Sequence, residues 1–168
     1  MNIKVLVLGA TGSGKTSSIC RIPEYEIEGL DPTKTFIIAC KKKELPVRGW
    51  LRDYQSVAVG QPPDIGNYIY TNRAPAIANV INHISDSRND IEHIVLDDTN
   101  YIMQDRYMNN TSTGYKIFTD IGNDMAMIFR AIEASSKNIV VFMHYEALDE
   151  GFGTTYKAKT VGKMVDNY

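Results

Sequence analysis

Gly9-Ala10-Thr11-Gly12-Ser13-Gly14-Lys15-Thr16 satisfies the spacing GxxxxGK[ST], and those residue types in that order can grip a row of phosphates. The glycines let the backbone turn its N–H groups inward, so that they and the start of a following helix form a nest for anionic oxygens. Lys15 is then expected to reach the β- and γ-phosphates of a nucleotide, the Thr16 hydroxyl to ligate magnesium, and Gly9 to Ser17 together to bind the nucleotide. The plain alternative is a glycine-rich turn that binds nothing; the complete motif, with an apolar run before it, argues against that.

A phosphate loop also needs a carboxylate for the metal, usually at the end of a nearby strand. Ile94-Val95-Leu96-Asp97-Asp98 offers two. Asp97 is expected in the magnesium shell, directly or through water. Asp98 is expected to orient or deprotonate the attacking water, because the second acid of such a pair can face the γ-phosphate. An Asp pair at a strand end can also start a turn or cap a helix. His144 closes the apolar run 139–143 and is expected at the same edge, donating to the γ-phosphate or to the attacking water; the alternative is a half-buried histidine satisfied by backbone. His83 and His93 lack such a placement and read as structural.

These groups need elements to hold them. The run 3–8 (IKVLVL), closed by Gly9, reads as a buried parallel strand. A helix is expected from Lys15 to about Arg21, stopping before Pro23, and 35–40 (TFIIAC) reads as a second buried strand. Proline and glycine punctuate 41–72, with weak strands at 56–59 and 68–70. Ile77, Val80, Ile81 and Ile84 have the three-and-four spacing of an amphipathic helix over 74–85, leading to a strand at 94–96. After a polar loop through Asn109, Asn110 and Gly114, the pattern recurs as a helix over 118–134 and a core strand over 138–143. The remainder, 146–168, is polar and irregular, with a hairpin around Gly151 and Gly153. Strands alternating with helices imply an α/β fold, a mainly parallel sheet covered by helices on both faces, with ligands beyond the carboxyl ends of the strands.

The composition is that of an ordinary globular protein: 43% hydrophobic, 23% charged, net charge -2. That balance argues against a surface basic all over and leaves room for a local basic patch. Cys20 and Cys40 have neither disulfide-framework nor zinc spacing and read as free thiols in a reducing compartment. The first apolar run is too short for a signal peptide or membrane span, so a cytosolic location is expected. The length of 168 residues suits one domain, 1–168; a chain end soon after a basic segment is what a C-terminal truncation would leave.

Taken together, the residues resemble the RecA-like branch of P-loop ATPases, and more narrowly the small phage-encoded ATPases related to RecA and Rad51 that act in single-strand annealing and recombination. The likeness rests on GATGSGKT, FIIACKKKELPVRGW (36–50), IVLDDTNYIM (94–103), GYKIFTDIG (114–122), HYE (144–146) and KAKTVGK (157–163). It implies a three-layer α/β/α sandwich with a RecA-like core, Mg2+-dependent ATP hydrolysis, single-stranded DNA as partner, no membrane, and a location in the cytoplasm of the bacterial host. It further implies a homo-oligomer, ring or filament, with nucleotide between subunits. Lys157 and Lys159, with Lys163 behind them, then resemble a basic contribution in trans that stabilises the transferring phosphoryl group; a solvated basic loop is the alternative. Arg106 and Arg130 are weaker finger candidates. RecA recombinases carry a catalytic glutamate just after the strand beside the P-loop strand. Here that region reads Lys41-Lys42-Lys43-Glu44, so the base is Glu44, slightly displaced, or Asp98 in its place.

Lys41 to Lys43 with Arg48, Trp50 and Arg52 form the densest basic and aromatic cluster, of the types that contact phosphates and stack on bases. The loop 101–115, with Arg106, Tyr107 and Asn109, is a second candidate for DNA; a charge run is also simply a solvated face. Competing readings are a nucleoside or nucleotide kinase, though the segment around Arg106 is short for an arginine-bearing lid; a motor of the AAA class, for whose helical lid domain the chain lacks room; and a nucleotide-sensing module that scarcely hydrolyses.

Overall fold

In the computed structural model, residues 2–58, 60–109, 114–149, 151 and 153–161 are described. The strands β1 (Lys4–Leu8), β2 (Thr35–Ala39), β3 (Tyr68–Tyr70), β4 (His93–Asp97) and β5 (Asn138–Met143) form one sheet in the order β1-β5-β4-β2-β3. Every pairing in it is parallel. The helices are α1 (Ala74–Ser87), α2 (Asn100–Met108) and α3 (Lys116–Ala134), and a separate antiparallel pair follows, β6 (Tyr145–Asp149) with β7 (Thr154–Ala158). The protein is thus α/β with a five-stranded parallel sheet.

Crossover handedness explains which face each connection covers. From β1 to β2 to β3 the chain moves one way across the sheet; from β3 to β4 to β5 it moves back. Right-handed crossovers therefore put the first pair of connections on one face and the second pair on the other. The packing agrees. Phe36, Ile38, Ile94, Leu96, Ile139 and Val141 pack with Ile77, Ile81, Ile84, Met103, Ile121 and Ile128 of α1, α2 and α3. Ile37, Ala39, Val95 and Phe142 face the other way, onto Ile19, Cys20, Leu45 and Tyr54 of the connections.

The sequence expectations of helices on both faces, and of a helix after Lys15, are therefore corrected: the second face carries short 3-10 turns, at Ser17–Ile19, Pro23–Tyr25, Pro32–Lys34 and Trp50–Arg52. Thr16, Ser17 and Ser18 are weak helix formers, and Pro23 follows too soon for another turn. The polar loop expected before Gly114 contains α2, whose inward side is only Asn100, Ile102 and Met103. The buried strand expected first is an edge strand. β1 pairs with β5 on one side, and Val5, Leu6 and Leu8 are 41%, 50% and 37% exposed. An apolar run has the same composition in either position. At 56–59 there is an isolated bridge, Ser56 to Tyr68, and Val59 lies outside the described residues.

Candidate phosphate and metal site

Because the sheet is parallel, the carboxyl ends of β1, β5, β4 and β2 share one edge, and the chemistry-bearing residues follow directly upon them. The loop 9–17 leaves β1 with Gly9 N donating to Met143 O at 3.1 Å. Gly12 and Gly14 take φ of +76° and +86°, where a side chain would be strained. A Cβ at Gly9 would lie 2.6 Å from Ser13 Oγ and 3.1 Å from the Lys15 side chain. Lys15 Nζ donates to the loop's own carbonyls, Gly9 O and Ala10 O, both at 2.8 Å. Among the described residues, the amides of Gly12, Gly14, Lys15 and Thr16 donate to no protein acceptor. The turn at Ser17–Ile19 is too short to add a helix dipole of consequence, so any anion-binding capacity lies in those amides and Lys15.

Thr16 and Asp97 meet although 81 residues apart: Thr16 Oγ1 lies 3.0 and 2.9 Å from the two carboxylate oxygens of Asp97. Asp97 is wholly buried, and that burial raises its pKa in spite of its partners. Asp98 adopts φ +61°, a left-handed conformation costing a non-glycine residue on the order of 1 kcal/mol. Thr99 N donates to Phe142 O and Tyr101 N to Asp98 O, which holds the turn. The turn sends the two acids different ways: Asp97 beneath Thr16, and Asp98 toward His144, with Oδ1 3.3 Å from His144 Nε2. His144 Nδ1 is in turn 3.5 Å from Thr11 Oγ1.

Lys43 is the residue the sequence reading put elsewhere, in a nucleic-acid patch. Its Nζ lies 2.8 Å from Asp97 Oδ2, 2.7 Å from Asp98 Oδ2 and 3.2 Å from Thr16 Oγ1. Burial opposes the ammonium, but hydrogen bonds to Asp97 and then Asp98 prevail and raise its pKa. For Asp98, too, burial is outweighed: the Lys43 hydrogen bond and charge hold its carboxyl below the usual range. Lys15 is lowered by its burial, against the pull of Asp98 and Asp97.

One cavity of about 420 Å³ collects Thr11 to Ser17 with Lys41, Lys43, Glu44, Asp98, Tyr101 and His144. Glu44 is exposed at its margin, and Lys41 Nζ lies 2.8 Å from Tyr101 Oη. Glu44 follows β2, but β2 does not adjoin β1: β5 and β4 lie between them, so the strand relation assumed for it is corrected. Asn100, missed in the sequence, is 2% exposed and ties three elements. Its Oδ1 accepts from His144 N at 2.5 Å, and its Nδ2 donates to Lys159 O. Lys159 N donates back to His144 O at 2.8 Å.

Other expected residues lie apart from this cavity. Lys157 Nζ is 3.0 Å from Glu146 Oε1, beside a separate groove lined by Leu6, Met125, Phe129, Arg130 and Ala158. Arg106 pairs with Asp124 at 3.3 Å and Asp120 at 3.8 Å on α3. Trp50 packs on Tyr68, ring centroids 5.0 Å apart, within the second core cluster, so the expected basic and aromatic cluster is split. Tyr107 stacks on Phe118. Lys163 and 110–113 lie outside the described residues.

The donor set fits magnesium. The Thr16 hydroxyl and the Asp97 carboxylate are hard oxygen ligands, and the Lys43 ammonium beside them marks a position that attracts positive charge. Among the described residues no three His, Cys, Asp or Glu side chains are grouped to hold a metal by themselves, so water or ligand oxygens would complete the shell of a magnesium ion. No helix among the described residues is long and apolar enough to cross a membrane. No protein-family model matches the chain, and no curated protein matches it.

Proposed function

We propose that the chain is a RecA-like P-loop ATPase that binds Mg·ATP in the loop 9–17, hydrolyses it, and acts on single-stranded DNA in phage recombination or annealing. The observation that carries the nucleotide reading is the contact of the Thr16 hydroxyl with the buried Asp97 carboxylate, at the end of a glycine loop four of whose amides donate to no protein acceptor. Thr16 and Asp97 would hold magnesium, which when bound neutralises phosphate charge. The loop amides and Lys15 would bind the phosphates, Lys15 leaving the carbonyls of Gly9 and Ala10 to do so.

His144 and Asp98 lie side by side, 3.3 Å apart, and both line the cavity. A carboxyl held below its usual range is a weak proton acceptor. While Lys43 is paired with it, Asp98 is suited to orienting water and His144; the base is Glu44 at the cavity margin, or Asp98 once Lys43 is not engaged. Lys157 lies at a separate groove rather than at its own loop, which is compatible with a contribution to a neighbouring subunit, whereas Lys159 is tied through its backbone to His144 and Asn100 beside its own cavity. Lys42, Arg48 and Arg52 are exposed and are the residues we assign to the DNA backbone.

The test is titration of the intact chain with Mg·ATP and Mg·GTP, followed by turnover with and without single-stranded DNA. Uptake of Mg·ATP that Lys15→Ala abolishes, and turnover stimulated by DNA with a steep salt dependence, are expected. A folded protein that takes up neither nucleotide ends the proposal; uptake without any DNA effect ends its recombination half.

A further inference from the structure

Lys43 reaches the centre of the candidate metal position from the end of β2, and three oxygen-bearing side chains converge on it: Asp97 at 2.8 Å, Asp98 at 2.7 Å and Thr16 at 3.2 Å. Its neighbours in the same run behave differently. Lys41 turns to Tyr101, with its Nζ 4.4 Å from the ring centroid, and Lys42 is exposed. Lys43 is also fixed at its backbone, since the buried Tyr68 donates its hydroxyl to Lys43 O at 3.1 Å.

We infer that Lys43 is a resident counter-ion that occupies the magnesium position of the nucleotide-free protein, excludes free divalent cations, and yields to the metal only when it arrives with nucleotide phosphates. This rests on the reading of Thr16 and Asp97 as magnesium ligands. The physical reason is a competition for the same oxygens. Two carboxylates buried or nearly so cannot stay charged without a cation, and the ammonium supplies one tethered within the chain. A free magnesium ion would have to displace those contacts and give up tightly held water for too few protein ligands. Phosphate oxygens change the balance by adding ligands and negative charge. The displaced ammonium swings about a fixed backbone, within a cavity that also contains Lys15. Lys43 is thus a positioning and gating residue for the metal.

The first measurement needs no nucleotide. Free Mn2+, followed by electron paramagnetic resonance against the intact chain, is expected to bind weakly to the wild type and at least about tenfold more tightly to Lys43→Met, because a competing charge is gone from between the acids. The gain should disappear in Lys43→Met combined with Asp97→Asn. Equal Mn2+ affinity in wild type and Lys43→Met overturns the inference. A second measurement on the unaltered chain guards against misfolding of the variant. Lys43 should be acetylated more slowly than Lys42, and millimolar Mn2+ with ATP should change the labelling of Lys43 far more than Mn2+ alone; equal responses to the two again overturn it. Failure of Mg·ATP uptake by the wild type would instead refute the nucleotide reading, so the two failures are separable.

Discussion

Asp97 is a wholly buried carboxylate paired with Lys43 and with the Thr16 hydroxyl. Asp97→Asn keeps its shape and an acceptor oxygen but removes the charge. A charge-assisted contact is worth about 1.5–3 kcal/mol, so affinity for Mg·ATP is expected to fall about tenfold or more, with unchanged far-ultraviolet dichroism. Titration with and without a chelator checks it; a variant whose ATP binding still improves with magnesium would remove Asp97 from the metal shell. The thiols make a contrasting case. Cys20 and Cys40 are 2% and 1% exposed, and burial pushes Cys20 up to about 11 and Cys40 well above its ordinary value. The thiolate is the nucleophile, so neither should react with iodoacetamide at pH 8 in the native protein, whereas both should in urea. Rapid native labelling, read by peptide mass, would mean that the segment carrying that thiol opens to solvent. The loop residues and Asp97 were legible from the sequence because a motif and a strand end are local patterns. Lys43 and Asn100 were not. Lys43 is one of three consecutive lysines, and only the pairing of Ala39 with Asp97 on adjacent strands directs it, rather than Lys42, to the acids.

Among the elements, those with a strong period were readable: α1 and α3 carry buried isoleucines at helical spacing, and β2, β4 and β5 are apolar on both faces. α2 was hidden because Ile102 and Met103 are adjacent, with polar residues around them, and no periodic stripe forms. The edge position of β1 was hidden because strand order depends on pairings that no local run encodes. The joint between these elements is Asn100, whose amide connects the start of α2, the end of β5 and the end of the β6-β7 pair. Asn100→Ala would leave the His144 N–H and the Lys159 carbonyl without that partner, at about 1–3 kcal/mol for each group that stays buried. A loss of roughly 2–4 kcal/mol in urea unfolding is expected. Under the proposed ATPase function, loosened hold on His144 should also lower turnover more than it weakens nucleotide binding. A variant as stable as the wild type, with unaltered kinetics, would show that the joint does not position the site.

At the scale of the whole molecule, the shifted groups set how stability depends on pH. Asp31 is lowered first by its hydrogen bonds with Thr33, Asp90 by its hydrogen bond with Arg88, and Glu92 by its hydrogen bond with Lys34. A carboxyl whose folded pKa lies below its unfolded value contributes stability that is complete above the unfolded value and is lost as pH falls through the folded one. Asp97 works in the opposite sense, since its burial makes the folded state take up a proton first, and so it opposes that loss. Cys20, Cys40 and Tyr68 are raised by burial, so their contribution is complete below the unfolded values and lost as pH rises through the folded ones. The result is a dome: urea midpoints nearly level from about pH 6 to 8, falling below about pH 4 and again above about pH 9. Unfolding measured across that range checks both limbs independently, the alkaline one with Cys20→Ala, which should flatten it. A midpoint that rises on acidification would mean that the buried Asp97, rather than the paired surface carboxylates, governs the acid limb.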